Sequence, residues 1–97
     1  MAKMKRDSSG SLLFECPCGE LHVVYPHGCD SQNPARWNWN GSVDAPTLPP
    51  SILVSWPGPG DQQNVCHSFI TDGRIQFCGD CTHELAGQTV EIPDWVD

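Results

Sequence analysis

The chain has 97 residues, of which 38% are hydrophobic and nine each are glycine and proline, so it makes one turn-rich domain with a small core. Its formal net charge is −7, and the five basic residues include Lys3, Lys5 and Arg6 at the start, leaving only Arg36 and Arg74 to face the twelve acidic groups. A body of that sign repels phosphate backbones, which argues against nucleic acid as a partner, and no apolar run is long enough to span a membrane.

In chain order, MAKMKRDSSG reads as a disordered basic tail over residues 1–10, and residues 11–97 read as a single metal-binding β domain. The apolar run after the tail, Ser11 to Phe14, is too short for a signal peptide, so the expected location is the cytoplasm. SLLFE leads into CPCG, where Pro17 and Gly19 turn the backbone around two thiols. ELHVVYP is rich in β-branched and aromatic residues and predicts a strand ending at Pro26. RWNWNGSV alternates large apolar and polar side chains before Asn40-Gly41, which predicts a half-buried strand and a type I′ hairpin turn.

Further on, Pro46, Pro49 and Pro50 withhold ladder donors, so a strand is expected only from SILVSW. VCHSFI and RIQFC flank Asp72-Gly73 and form the best hairpin signal of the chain. That turn pairs Ile70 with Ile75, Ser68 with Phe77 and Cys66 with Gly79 on one face, and Phe69 with Gln76 and His67 with Cys78 on the other. Residues 82–86 could form one helical turn with Thr82 as N-cap, and EIPDWVD finishes extended. The fold class is mainly β: a compact, zinc-stapled antiparallel β domain with hairpins and at most one short helical turn.

Six cysteines in a reducing compartment favour metal over disulfides. Cys16-x-Cys18 and Cys78-x2-Cys81 could together complete a four-sulfur zinc ribbon. The second pair could also serve redox chemistry, although no βαβ pattern surrounds it. Cys29 reads as an ordinary thiol, His22 as a structural histidine, and Trp37, Trp39 and Trp95 as core or as a ligand platform.

CPCG with His22, WNWNG, APTLPPSIL, CHSFITDGRIQF and DCTHELAGQTV, taken together, resemble a family of short phage and prophage proteins sometimes mislabelled ammonia monooxygenase. The resemblance runs from about Phe14 to Trp95. It implies a zinc ion held by Cys16, Cys18, Cys66 and His67, with His22, then Cys81 and His83, as substitute ligands. Adjacent strand residues face opposite sides, so Cys66 and His67 could share one ion only at a bulge or before the ladder begins. Two functions follow as expectations. The favoured one is a zinc-binding accessory module with no catalytic residues, engaging a host or phage protein through its acidic surface. The alternative is a small metal-dependent hydrolase using the Asp80–Glu84 cluster.

Overall fold

The computed structural model describes residues 1–96. Among them are seven strands and no helix, as the mainly β reading requires. β1 (Lys5–Arg6), β2 (Leu12–Glu15) and β3 (Leu21–Val24) form one antiparallel sheet in chain order. β4 (Ile52–Pro57), β5 (Gln63–Thr71), β6 (Arg74–Phe77) and β7 (Thr89–Glu91) form a second, also antiparallel and in chain order.

The β5–β6 hairpin has the predicted register, with Ile70 opposite Ile75, Phe69 opposite Gln76 and Ser68 opposite Phe77. Its turn works because Asp72 and Gly73 both take positive φ, 51° and 75°, the conformation a type I′ turn demands. The turn is pinned from outside by hydrogen bonds from Asp72 N–H to Thr47 Oγ1 and from Gly73 N–H to the Pro46 carbonyl. Along β5 the side chains alternate: Cys66, Ser68 and Ile70 are buried, while Phe69 and Thr71 are exposed. β4 follows suit, with Ile52 buried and Leu53 exposed.

Leu12, Phe14 and Val24 from the first sheet pack with Ile52, Cys66, Ile70, Ile75 and Phe77 from the second, and Met4, Leu48 and Ile92 complete the cluster. The inward apolar positions of the two sheets thus feed one core.

Three expectations fail for identifiable reasons. The first ten residues are packed rather than a free tail: Met4 is buried in the core, β1 pairs with β2, and Lys3 donates to Glu91 and to the Ile92 carbonyl. Residues 36–43 make no hairpin strand. Asn40 keeps a negative φ, which a type I′ turn forbids, and its side chain instead accepts from Ser42 N–H and donates to the Ala45 carbonyl. Trp37 touches a strand-like neighbour only at an isolated parallel bridge to Pro26. The helical turn at 82–86 is absent because its would-be cap is occupied: Thr82 Oγ1 accepts from Val65 N–H at 2.9 Å. His83 Nδ1 takes the Leu85 N–H in its place.

Ile75 has no exposed surface, so Ile75→Ala removes methylenes that neighbours cannot replace and should cost about 2–5 kcal/mol. Leu53→Ala on the open face of the same sheet should stay within about 0.5 kcal/mol of the parent. Urea denaturation of the two variants checks the pair.

Candidate functional site

The β2–β3 hairpin carries a thiol knuckle at its tip. Cys16 N–H bonds the Glu20 carbonyl, and Gly19 N–H folds back onto the Cys16 carbonyl, with Gly19 at φ 102°, a conformation that glycine adopts without strain. This turn aims Cys16 and Cys18 toward the second sheet. One strand residue past the turn, His22 stands opposite Phe14, and both are buried. Cys66 reaches in from β5.

Ligand atoms of Cys16, Cys18, His22 and Cys66 all lie within 4.8 Å of one another. A tetrahedral ion with zinc-like bonds would set sulfur–sulfur edges of about 3.8 Å and sulfur–nitrogen edges of about 3.5 Å. The Cys16–Cys66 sulfurs are 3.9 Å apart, and Cys18 Sγ is 3.5 Å from His22 Nε2. The donor set therefore fits a metal ion, and the three sulfurs are free thiols rather than disulfides.

The electrostatics point the same way. The Cys16 thiol is pulled down to about 4, chiefly by the hydrogen bond from Cys66 and further by His22. Cys66 is pushed up, first by that same bond to Cys16 and then by burial, and burial drives Cys18 up to about 11. One thiolate is held comfortably while its neighbours keep their protons. A dication would let all three ionise, since it replaces the shared protons with a charge that each sulfur can face. His22 is buried, and its Nδ1 has no hydrogen-bond partner.

His67 does not join this group. It lies on the other face of β5, where its Nδ1–H donates to both Asp80 carboxylate oxygens, at 3.0 and 3.2 Å. A carboxylate only accepts, so the bond places a proton on Nδ1, and in the neutral ring Nε2 is then the lone-pair nitrogen. The segment behind it is tied to β5 at both ends. Cys78 N–H bonds the His67 carbonyl, and Thr82 N–H bonds the Val65 carbonyl. Between them Cys81 Sγ accepts from His67 N–H and donates to the His67 carbonyl, both at 3.2 Å.

The remaining candidates divide clearly. Cys81 and His83 form a second grouping with Cys66. However, His83 Nδ1 accepts the Leu85 N–H, so its proton sits on Nε2 and that nitrogen is a donor rather than a ligand. The ring packs edge-on against Phe77 at 4.6 Å. Asp80 turns to His67 and not to His83. Cys78 groups with His67 and Asp80, and its thiol is pushed up by burial first and then by Asp80 and Cys81. Cys29 is buried beside Ser11, outside every cluster. The His67–Asp80 pair escaped the sequence reading, although the outward direction of His67 in the hairpin register was a signal for it.

These features define a small two-sheet β domain in which a buried Cys/His group able to hold a metal ion lies behind a surface histidine oriented by a carboxylate. The chain belongs to the family described as the bacterial ubiquitination-like system serine protease (BubE), whose model matches residues 1–78. That span includes Cys16, Cys18, His22, Cys66 and His67 and ends before Asp80. The description names a bacterial system and says nothing of phage. No curated protein and no solved structure matches the chain. No helix among the described residues is long and apolar enough to cross a membrane.

Because the buried group can draw its nitrogen from His22, His22→Ala should lose the tightly held buried ion and His67→Ala should keep it. Metal-to-protein stoichiometry after gel filtration measures this. Chelation of the parent should lower its thermal midpoint, and an unchanged midpoint would count against a stapling ion.

Proposed function

We propose that this protein is a serine hydrolase that cleaves peptide or isopeptide bonds of a protein substrate, with a structural zinc ion at Cys16, Cys18, His22 and Cys66. The observation that carries the reading is the His67–Asp80 pair on the open face of β5, turned away from the metal-binding group. An imidazole whose Nδ1–H is held by a carboxylate has the tautomer and orientation that the general base of a nucleophilic triad needs. The family description, a serine protease of a bacterial ubiquitination-like system, supports the same chemistry and supplies the substrate class.

Strand register supports a choice of nucleophile. Leu53 pairs with His67, and Ile52 is buried, so Ser51 and Ser55 fall on the outward face as the two diagonal neighbours of His67. The segment 78–82 runs from His67 toward Val65, which puts Asp80 on the Val65 side of the imidazole. With Asp80 holding Nδ1, Nε2 points away from the Val65 end, which favours Ser51 over Ser55 as its partner. Ser51 is also braced: the Trp37 indole N–H donates to its carbonyl at 3.1 Å, and Asn38 N–H bonds the Pro49 carbonyl. Ser68, next to His67 in sequence, is buried on the wrong face.

In the reaction, Ser51 Oγ attacks the scissile carbonyl while His67 Nε2 takes its proton. Asp80 stabilises the resulting imidazolium. The proton passes to the leaving amine as the C–N bond breaks, leaving an acyl-serine. Water, deprotonated by the same nitrogen, then attacks the ester, and release of the acid restores Ser51. Zinc takes no part in these steps. Its role is to hold the β2–β3 hairpin against β5, and so to fix the strand that carries His67.

Three thiols and an imidazole suit zinc over harder cations, and free thiols throughout suit a reducing cytoplasm. The protein partner expected from the acidic surface becomes the substrate, and Asp80 serves His67 rather than a metal-bound water. A fluorophosphonate probe, which reacts with activated serines, should label Ser51. The label should disappear in Ser51→Ala and persist in Ser55→Ala. Asp80→Asn should lower the labelling rate by about 10³- to 10⁴-fold. An absent label, or one mapped by mass spectrometry to another residue, sinks the assignment.

A further inference from the structure

We infer that His67, Cys78 and Asp80 form a second metal site, weaker than the buried one, and that an ion bound there withdraws His67 from proton transfer. One nitrogen of His67, the Cys78 sulfur and a carboxylate oxygen of Asp80 lie within 4.8 Å of one another. The three are not a chance surface cluster, because the backbone holds each in place. Cys78 is tied to His67 by its N–H, at 2.8 Å to the His67 carbonyl. The two bonds of Cys81 to the His67 backbone clamp the loop that presents Asp80. The carboxylate already touches Nδ1 through both oxygens.

The donor set names the ligand class. A thiolate, an imidazole and a single carboxylate favour a borderline transition-metal dication, zinc or its analogues, over magnesium or calcium. His67 and Cys78 are half-buried and Asp80 is exposed, so three protein ligands leave the outer position to water. Such a site holds its ion less tightly than the four-ligand group inside the core. Binding displaces the Cys78 thiol proton to solvent and engages an imidazole nitrogen, breaking the arrangement in which Nδ1–H faces Asp80 and Nε2 waits for a proton. Cys78 thus acquires a role that neither the core nor the proposed triad gives it. Binding does not depend on the hydrolytic reading. Only its inhibitory consequence does.

The test adds cobalt(II) to protein whose buried group is already loaded with zinc. One further equivalent should bind with a thiolate-to-cobalt charge-transfer band. Cys78→Ser should abolish the band and weaken binding by at least about tenfold, with the buried zinc retained, and Cys29→Ser should change neither. Absence of a further equivalent, or a band that survives Cys78→Ser, overturns the site. Should Cys78→Ser fail to fold, alkylation of the parent decides the matter: the ion should slow modification of Cys78, and an unchanged rate overturns the proposal. Hydrolysis should fall in step with occupancy of the second equivalent, and a rise would overturn the inhibitory role. If the ion binds but zinc-loaded protein lacking it hydrolyses nothing, the second site stands and the serine-hydrolase reading fails instead.

Discussion

The two-residue period of β5 organises the molecule. Cys66 and His67 are neighbours in sequence, and the ladder with β4 runs unbroken through both, pairing Val54 with Cys66 and Leu53 with His67. An intact ladder sends consecutive side chains to opposite faces, so one ion cannot take both. An ion held at Cys66 would then need its nitrogen from elsewhere, and His22, on β3, stands within ligand distance of the three sulfurs. His67 in turn is released to the open face, where Asp80 finds it. The division between a buried side with a Cys/His group able to hold a metal ion and an open side with the His67–Asp80 pair follows from a single strand holding its register.

That division matters energetically because the core is small. Two sheets of three and four strands meet through a limited set of aliphatic and aromatic side chains, and two of the core members are themselves cysteines. A domain of this size has a net stability of order 5–15 kcal/mol, while a structural zinc can contribute on the order of 10 kcal/mol of apparent binding free energy. An ion bridging the β2–β3 knuckle to β5 would therefore be comparable to the whole net stability of the domain. The same hairpin tip places sulfur where a purely apolar contact would have to be larger than the chain can furnish.

Much of this was legible in the residues. Asp72-Gly73 announced its turn and register because both φ values it needs are ones Asp and Gly can adopt, and the same register already sent Cys66 inward and His67 outward. The resemblance argued for Cys66 with His67 in one site, a pairing that required a bulge, and the ladder contains none there. His22 was a less obvious ligand because nothing local distinguishes a buried histidine from a structural one. What sequence pattern could not supply was long-range pairing: Met4 docking in the core, Thr82 engaged by Val65 and therefore unable to cap, and Trp37 tied to Ser51 instead of joining a ladder. Ser51 looks like an ordinary residue after two prolines, one position before β4, and only the proposed function gives it a role.

A site on a sheet face also constrains what it can act on. His67 stands beside Phe69, with ring centroids 6.3 Å apart, and beside exposed Leu53, on a surface that continues into an open depression of about 490 Å³ near Arg74, Gln76 and Glu91. Nothing there encloses a small molecule on all sides, yet acyl transfer proceeds best where water is kept from the developing charge. On a face this open, the reaction proposed above would need a substrate that brings its own cover. A polypeptide laid across Leu53, Phe69 and the depression would do so, burying apolar surface on both partners and shielding the carbonyl above Ser51. The proposed protein substrate thus suits a face this open, because the molecule to be cut would provide the missing wall.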